Sequence, residues 1–350
     1  MQKSKIIHRH LGKTGIACPP IIYGTSYLGN LYRELTEAEK QTIIREWFNV
    51  SEGPVVIDTA GKYGAGLALE TLGKGLTQLG ISPEKITISN KLGWYRVALK
   101  TSEPTFEPGA WANIKHDAVQ KISYKGILEC WEQGCELLGD YQPQLVSVHD
   151  PDEYLFAANS EKERQKRWND IKEAYQALFE LKEKGKATAV GIGSKDWQTI
   201  RQLYNEIKFD WVMLANTFTL FRHPPQVLEF IQKLAGEGVG IINSGIFNAG
   251  FLTGGSYFDY RLVSENEEKD QPLFEWRKKF FSICNRFSVK PGDACLQFAI
   301  SAPQISAVAL NPGKPTRIKE NIKVLENELS SEFRNELKKS GIVNREYPYL

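Results

Sequence analysis

Eight short runs of apolar and β-branched residues recur along this chain of 350 residues, and stretches with helical spacing separate most of them. The predicted strands are residues 21–25 (IIYGT), 55–60 (VVIDTA), 86–91 (ITISNK), 145–150 (LVSVHD), 187–194 (ATAVGIGS), 211–217 (WVMLANT), 239–245 (VGIINSG) and 306–311 (SAVALN). Continuous apolar strands that alternate with helices are typical of a parallel sheet covered by helices. Because eight such units favour closure over an open sheet, we expect an α/β protein with the (β/α)8 TIM-barrel fold and eight parallel strands.

The stretches between the strands place apolar residues three and four positions apart, as one buried face of a helix requires. The clearest predicted helices are TEAEKQTIIREWF from residue 36, LALETLGKGLTQL from 67, KGILECWEQGCELL from 125, KEAYQALFELKEKG from 172 and PQVLEFIQKLAGEG from 225. TIM barrels of this length form one domain, and no linker-like segment divides the chain. We therefore expect a single domain over residues 1–350, with short extra helices.

Charge and composition argue against several classes of partner. A formal net charge of +2 provides no basic field for nucleic acid. No run approaches the ~20 apolar residues needed to span a membrane, and the first residues lack the apolar segment of a signal peptide. Five scattered cysteines without a CxxC pair are typical of neither a disulfide framework nor a zinc site. We expect a cytoplasmic protein without a metal, as a monomer or small homo-oligomer.

Two long insertions interrupt the strand–helix alternation, and we predict a long loop for each. They are residues 93–123, after the third predicted strand, and residues 250–270, after the seventh. Long loops in compact domains are often functional, and both would lie at the carboxyl-end face, where barrel active sites occur. Trp94, Tyr95 and Trp111 in the first loop are therefore predicted to line a substrate site.

Ionisable side chains end three successive predicted strands, where they are costly to bury without a role. Asp58, Lys91 and His149 occupy these ends, and Tyr63 follows Asp58 by five residues. A phenol exchanges protons slowly at neutral pH unless a nearby ammonium favours the phenolate, and a carboxylate can orient that ammonium. An imidazole can polarise a carbonyl oxygen. The set suits acid/base assistance of hydride transfer.

The motifs that carry these residues resemble those of the aldo-keto reductase superfamily. IDTAGKYG at 57–64 is similar to the family's D-T-A-x-x-Y-G signature, SNKLG at 89–93 to its lysine segment and LVSVHDPD at 145–152 to its histidine segment. The likeness extends from residue 9 to about residue 325. It implies that Tyr63 is the general acid/base, that Lys91 lowers the pKa of Tyr63, that Asp58 pairs with Lys91 and that His149 positions the carbonyl.

A Rossmann dinucleotide fingerprint is missing from the sequence, since Gly64 and Gly66 are followed by leucine at position 69 rather than a third glycine. The resemblance instead implies that NADP or NAD lies across the barrel mouth. The implied cofactor-binding residues are Gly24, Thr25, Gly193, Ser194, Asn216, Phe218, Ser244, Phe247, Gly250, Leu252, Gly313, Lys314, Arg317, Glu320 and Asn321.

Several of these positions depart from the family pattern. Gly193 and Ser194 stand where the family usually has the Ser-Asn pair that holds the carboxamide, and Asn216 stands near its usual glutamine. Phe218 is the candidate ring for stacking on nicotinamide, where tyrosine is common; an ordinary loop aromatic is the alternative. Arg317 lies four residues before Asn321, where NADP-preferring members often place an arginine, so we favour NADP over NAD.

The segments VMLANTFTLF and GIINSGIFNAGFLTGG most resemble those of the aldose 1-dehydrogenases that act on L-fucose, L-galactose or D-threo-aldoses. We therefore expect a small-molecule oxidoreductase that takes hydride from the anomeric carbon of a sugar and forms a lactone. A general aldehyde reductase is the first alternative, because the same groups serve both directions. A Schiff-base aldolase using Lys91 and a non-catalytic cofactor-binding module are further alternatives.

Overall fold

A closed barrel of eight parallel strands forms the centre of the computed structural model, which describes residues 8–51 and 53–350. The strands in chain order are β1 (Arg9–His10), β2 (Ala17–Cys18), β3 (Ile21–Gly24), β4 (Val55–Ala60), β5 (Ile86–Leu92), β6 (Trp94–Ala98), β7 (His116–Gln120), β8 (Leu145–His149), β9 (Ala189–Ser194), β10 (Trp211–Ala215), β11 (Gly240–Ser244), β12 (Tyr257–Phe258), β13 (Arg261–Leu262) and β14 (Ala307–Leu310). The barrel order is β3, β4, β5, β8, β9, β10, β11 and β14, and β14 pairs with β3 to close it. The eight predicted strands and the TIM-barrel prediction are confirmed.

Eleven α-helices surround the barrel in the described part of the chain. They are α1 (Glu37–Val50), α2 (Leu67–Gln78), α3 (Tyr124–Leu138), α4 (Pro151–Phe156), α5 (Glu161–Glu183), α6 (Trp197–Glu206), α7 (Pro225–Glu237), α8 (Gln271–Arg286), α9 (Pro291–Ser301), α10 (Pro315–Glu326) and α11 (Ser331–Lys339). Thr36 and Glu39 form a capping box at the start of α1. None of these helices combines the length and apolar character that crossing a membrane requires.

The two ends of the barrel differ in polarity. At the amino end, Leu11 and Cys18 from the β1–β2 hairpin are fully buried against Trp211 and Ile242 inside the barrel. Apolar packing closes that end, as in other barrels whose interior is a packed core. Polar and charged side chains lie at the carboxyl end, which makes that mouth the candidate site for a ligand.

Both long insertions lie where the sequence predicts them, but neither is a simple loop. In residues 93–123, β6 pairs antiparallel with β7, from Trp94 opposite Gln120 to Ala98 opposite His116. Residues 250–270 contain the short β12–β13 hairpin and two 3-10 turns. The hairpins escaped prediction because their strands pair only with each other and lack a continuous apolar run.

Candidate active site

The ends of three neighbouring barrel strands bring polar side chains together at the carboxyl mouth. Asp58 lies on β4, Lys91 lies near the end of β5 and His149 is the last residue of β8. Tyr63 comes from the turn after β4, where its backbone N–H donates to the carbonyl of Ala60 at 3.1 Å. Because β4, β5 and β8 are adjacent and parallel, their carboxyl ends meet at one edge.

Successive contacts join these four side chains. Lys91 Nζ forms a buried ion pair with Asp58 Oδ2, and Ser89 Oγ donates to Asp58 Oδ1 at 3.3 Å. The same Nζ lies 4.9 Å from the centroid of the Tyr63 ring. The Tyr63 and His149 rings meet edge to face with centroids 5.5 Å apart. A phenol, an ammonium, a carboxylate and an imidazole therefore share one small volume.

Aromatic side chains from the 93–123 insertion cover one side of Tyr63. The Trp111 ring lies 5.9 Å from the Tyr63 ring, and its Nε1 donates to Glu107 Oε2 at 2.9 Å. Trp94 packs on Phe106, with ring centroids 5.7 Å apart, in the same apolar cluster. Trp94 and Trp111 therefore belong to one aromatic cluster beside Tyr63, and their role as a substrate wall stays a prediction.

Tyr95 does not join that wall. Successive side chains of a strand point to opposite faces, so Tyr95 faces away from the cluster that contains Trp94. It packs instead on the outer core, with Lys121 Nζ 4.0 Å from its ring centroid. The prediction that Tyr95 lines the substrate site was wrong, because β6 was not foreseen as a strand.

The first candidate cofactor residues end two barrel strands at the mouth. Gly24 ends β3 and Thr25 follows it, while Gly193 and Ser194 end β9. A Cβ at Gly193 would lie 3.5 Å from Cδ of Lys91, so glycine keeps the space beside the lysine open. The side chains of Thr25 and Ser194 are fully buried. Both hydroxyls already donate to backbone carbonyls of the protein.

Asn216 presents an unsatisfied polar atom. It follows β10 in a left-handed conformation, with φ 55°, and it is buried. Its Oδ1 has no hydrogen-bond partner within residues 8–51 and 53–350. A buried acceptor without a donor is costly, so this amide is a candidate to receive a hydrogen bond from a bound ligand.

Phe218 lies in the core rather than at the mouth. Its side chain is fully buried and stacks on Phe298 of α9 with ring centroids 5.2 Å apart. Tyr347 packs on the same pair, 6.1 Å from the Phe218 ring. The prediction that Phe218 stacks on nicotinamide was wrong, because the ring is fully buried against helix α9 and the chain's last segment.

The segment after β11 offers backbone groups rather than side chains. Ser244 Oγ donates to the carbonyl of Leu214 at 3.3 Å, Phe247 is half-buried and Leu252 is fully buried. Gly250 has φ 91°, and a Cβ there would meet nothing within 4 Å. The open side of this turn leaves room for a phosphate to approach the backbone.

The remaining candidates surround the amino end of α10. Gly313 lies under Tyr27, since a Cβ there would come 3.0 Å from the tyrosine ring. Lys314 is the residue before the helix, and no side chain in the described residues caps this end. The Arg317 side chain is 64% exposed and donates to Glu320 at 2.7 Å. Asn321 lies one turn further along the same helix.

The sequence model of the aldo/keto reductase family matches residues 20–342 of the chain. This chain belongs to the aldo-keto reductase family. It is therefore an oxidoreductase that acts on alcohol or aldehyde groups, in a family that uses NAD(P)(H). The resemblance inferred from the motifs at 57–64, 89–93 and 145–152 is confirmed.

The chain is similar to curated dehydrogenases over most of their length. It is 26% identical to pyridoxal 4-dehydrogenase of Microbacterium luteolum over 96% of this chain and 98% of that protein. It is 24% identical to D-threo-aldose 1-dehydrogenase of a Pseudomonas species over 88% and 89%, and 22% identical to L-galactose dehydrogenase of Arabidopsis thaliana over 91% and 88%. Among solved structures, a holo-form aldo-keto reductase from Bacillus halodurans matches with a TM-score of 0.69 at 19% identity, over 95% and 96% of the two chains, which shows the common fold.

Burial dominates the acid/base properties of Tyr63 in this aldo-keto reductase. Burial raises the pKa of Tyr63 well above its ordinary value, and the nearby carboxylate of Asp58 raises it further. The implied role of Lys91 in lowering this pKa stays a prediction. The Lys91 ammonium is paired with Asp58 and lies beside the phenol ring.

His149 is held as a neutral imidazole. Burial lowers its pKa well below the ordinary value, and the ammonium groups of Lys91 and Lys62 lower it further. Its Nδ1 is buried without a hydrogen-bond partner among the described residues, and its Nε2 lies 3.6 Å from Asp150 Oδ2. A neutral imidazole in this place can donate one hydrogen bond to an oxygen in the site.

Sequence reasoning missed a set of charged residues beside the four strand-end groups. Lys62 and Lys195 make ion pairs with Glu107, Asp150 and Glu153 at the barrel mouth. Lys62 directly precedes Tyr63 in the signature, and Asp150 directly follows His149. The positions of Lys62 and Asp150 next to motif residues were the available signal in the sequence. Their ion-pair partners could not be assigned without the fold.

Proposed function

We propose that this aldo-keto reductase is a sugar 1-dehydrogenase, which oxidises the anomeric carbon of an aldose and releases a lactone. The observation that carries the proposal is the contact among Asp58, Lys91, Tyr63 and His149 at the open mouth. The curated relatives support the substrate class, since two are named for aldose or galactose oxidation and one for pyridoxal oxidation.

In the proposed reaction, Tyr63 and His149 act on the substrate oxygen. The anomeric hydroxyl gives its proton to the Tyr63 oxygen, while the hydrogen on the same carbon leaves with its electron pair as hydride. The neutral His149 donates a hydrogen bond that orients the oxygen. Lys91, held by Asp58, stabilises the phenolate form of Tyr63 against the strong effect of burial.

A nicotinamide cofactor, when bound, accepts or gives the hydride. Three observations support the fit of the residues to such a group. Asn216 Oδ1 is a buried acceptor that lacks a donor among the described residues, which suits a carboxamide. Gly193 leaves open space next to Lys91, and Gly250 leaves its turn open for a pyrophosphate. Gly24 and Thr25 would contribute backbone at the same mouth.

We propose NADP rather than NAD as the preferred cofactor. Arg317 and Lys314 are exposed at the uncapped start of α10, where helix geometry also favours an anion. Arg317 pairs with Glu320 at 2.7 Å, and a 2′-phosphate would compete with that carboxylate for the guanidinium. Asn321, Gly313 and Ser244 complete the proposed adenosine side of the site.

Aldehyde reduction is the second candidate function. The raised pKa of Tyr63 keeps the phenol protonated at neutral pH, and a protonated phenol is the form that donates to a carbonyl oxygen. The wall of Trp94 and Trp111 would accept an aromatic aldehyde as well as the C–H face of a sugar. Both candidates use the same four groups in opposite directions.

The deciding experiment follows reduced nicotinamide by absorbance while aldoses and aldehydes are screened in both directions with NADP and NAD. We expect oxidation of at least one neutral aldose, with a lactone that hydroxylamine traps as a hydroxamate. Tyr63→Phe serves as the matched blank for every substrate. Turnover of aldehydes alone would replace the sugar dehydrogenase with the second candidate, and turnover of neither would refute both.

A further inference from the structure

Lys62 is a buried lysine next to Tyr63 that the proposed reaction does not use. Only 4% of its side chain is exposed, yet its Nζ lies 2.7 Å from Glu107 Oε1, 3.2 Å from Glu153 Oε2 and 3.9 Å from Asp150 Oδ2. Glu107 belongs to the 93–123 insertion, whereas Asp150 and Glu153 follow β8. One ammonium thus joins two separate segments of the barrel mouth.

The balance of charge keeps Lys62 in this place. Burial disfavours its ammonium, but Glu107, Asp150 and Glu153 together raise the pKa of Lys62 above its ordinary value. The lysine therefore stays charged across the physiological range. Without it, Glu107 would lose its cation, and Lys195 alone would balance Asp150 and Glu153, which is unfavourable because like charges repel.

Glu107 links Lys62 to the aromatic wall. Its second oxygen, Oε2, accepts from Trp111 Nε1 at 2.9 Å, and the Trp111 ring lies 5.9 Å from Tyr63. Glu107 has φ 44°, a left-handed conformation that a residue with a side chain adopts only when its surroundings hold it there. The two contacts of its carboxylate supply that restraint.

Asp150 links Lys62 to the imidazole. It follows His149 directly, also has a left-handed backbone with φ 45°, and lies with Oδ2 3.6 Å from His149 Nε2. Its N–H donates to the carbonyl of Gly193 at 3.3 Å. Asp150 thus contacts the imidazole through its side chain and β9 through its backbone. Both contacts restrain the backbone around His149.

We propose that Lys62 is a positioning residue, which ties the 93–123 insertion to the segment after β8 and so holds Trp111 and His149 against Tyr63. The expected effect of Lys62 on catalysis rests on the proposed function, whereas its ion pairs with the two segments do not. Lys62 acts through Glu107 and Asp150 and touches no reacting atom. Its loss is expected to weaken substrate binding much more than cofactor binding.

The structural arm of the test needs no substrate. Hydrogen exchange of residues 105–112, followed by mass spectrometry, is compared for the wild type, Lys62→Met, Lys62→Arg and Lys74→Met. Lys74 is the control, since it pairs with Glu70 on α2 but is 68% exposed. We expect exchange at least about tenfold faster in Lys62→Met, because loss of a buried ion pair lowers the free energy of local opening. Lys62→Arg should recover most of the protection. Wild-type exchange rates in Lys62→Met would overturn the proposal.

The kinetic arm separates positioning from chemistry. For Lys62→Met, we expect KM for the aldose or aldehyde to rise at least about tenfold, while kcat changes less than about threefold and the Kd for NADP stays constant. Lys62→Arg should restore KM. A fall in kcat as deep as that of Tyr63→Phe, with constant KM, would refute a positioning role. If the wild type turns over no substrate, the proposed function fails, and hydrogen exchange alone still decides the structural tie.

A second variant covers the case in which Lys62→Met does not fold. Glu107 is 36% exposed on its side chain, so Glu107→Gln removes one charge of the tie with little cost to the core. It should reproduce the faster exchange and the higher KM. The double variant Lys62→Met, Glu107→Gln should show less than the product of the single effects, because both remove one contact. Fully multiplicative effects would contradict the link.

Discussion

The two sides of the barrel mouth hold their candidate residues in different ways. After β4, β5 and β8, the groups are buried side chains on or next to strands, such as Asp58, Lys91 and His149. After β10 and β11, the candidates lie on turns with left-handed backbones, such as Asn216 and Gly250. The acid/base groups are fixed by strand register, whereas the proposed cofactor contacts depend on the conformation of each turn.

Substitutions on the two sides of the mouth should therefore have different consequences. On the acid/base side, removing one group leaves a buried charge without a partner, so folding stability and activity should fall together. On the cofactor side, Gly250 offers backbone and Arg317 is exposed, so at these positions affinity should change without loss of stability. Each prediction below tests whether the two sides separate in this way.

Lys91→Met should have the largest effect. It leaves the Asp58 carboxylate buried without a partner, which we expect to cost about 3–5 kcal/mol of unfolding free energy. Activity should fall at least ~100-fold, because Tyr63 loses its adjacent cation. Urea unfolding and steady-state kinetics measure the two effects. Adding Asp58→Asn should restore much of the stability but none of the activity; a stable single variant would contradict the buried pair.

Arg317→Ala should change cofactor preference alone. We expect the Kd for NADP to rise about 10- to 100-fold, the loss of one charge-assisted contact to a phosphate, with no change for NAD. The unfolding free energy should stay constant, because the side chain is 64% exposed. Arg286→Ala on α8 is a control with an exposed arginine in an ion pair. Equal weakening for both cofactors would remove Arg317 from 2′-phosphate recognition.

The pH dependence should differ between the two directions. Since the pKa of Tyr63 is raised, the phenolate is the minor form near neutrality, and its fraction grows about tenfold per pH unit. Sugar oxidation should therefore rise with pH between 7 and 9, while aldehyde reduction stays flat there. His149 adds no step in this range, since its lowered pKa keeps it neutral. A pH-independent oxidation rate would contradict the assignment of Tyr63 as base.

Phe218→Leu should have the smallest effect. It removes part of a ring packed on Phe298, at an expected cost of about 1–2 kcal/mol in unfolding free energy. The Kd for NADP should remain that of the wild type. Fluorescence titration with the cofactor checks this directly, and a weaker Kd at unchanged stability would return Phe218 to the cofactor site.

The strand-based features were the most predictable from the sequence. Continuous apolar runs indicated all eight barrel strands, and polar residues at their ends indicated Asp58, Lys91 and His149. This succeeds because parallel strands direct their carboxyl ends to one mouth, whatever the details of packing. Tyr63 could be predicted because its turn is short and belongs to a recognisable motif.

Features that depend on long-range packing were not predictable. The direction of Tyr95 follows from the β6–β7 pairing, and the burial of Phe218 follows from the position of α9. The raised pKa of Tyr63 depends mainly on burial, which a motif does not encode. The contact of Lys62 with Glu107 joins residues 45 positions apart and is set by the fold of the whole insertion.

The most direct test of the central claim compares Tyr63→Phe with the wild type in cofactor binding and in turnover on the same substrate. The account predicts an unchanged Kd for NADP, because the phenyl ring keeps its packing against Trp111 and His149. It also predicts that kcat falls at least ~100-fold, since the proton acceptor is lost. Turnover at the wild-type rate would show that the phenol at the centre of the four groups carries no proton in the reaction.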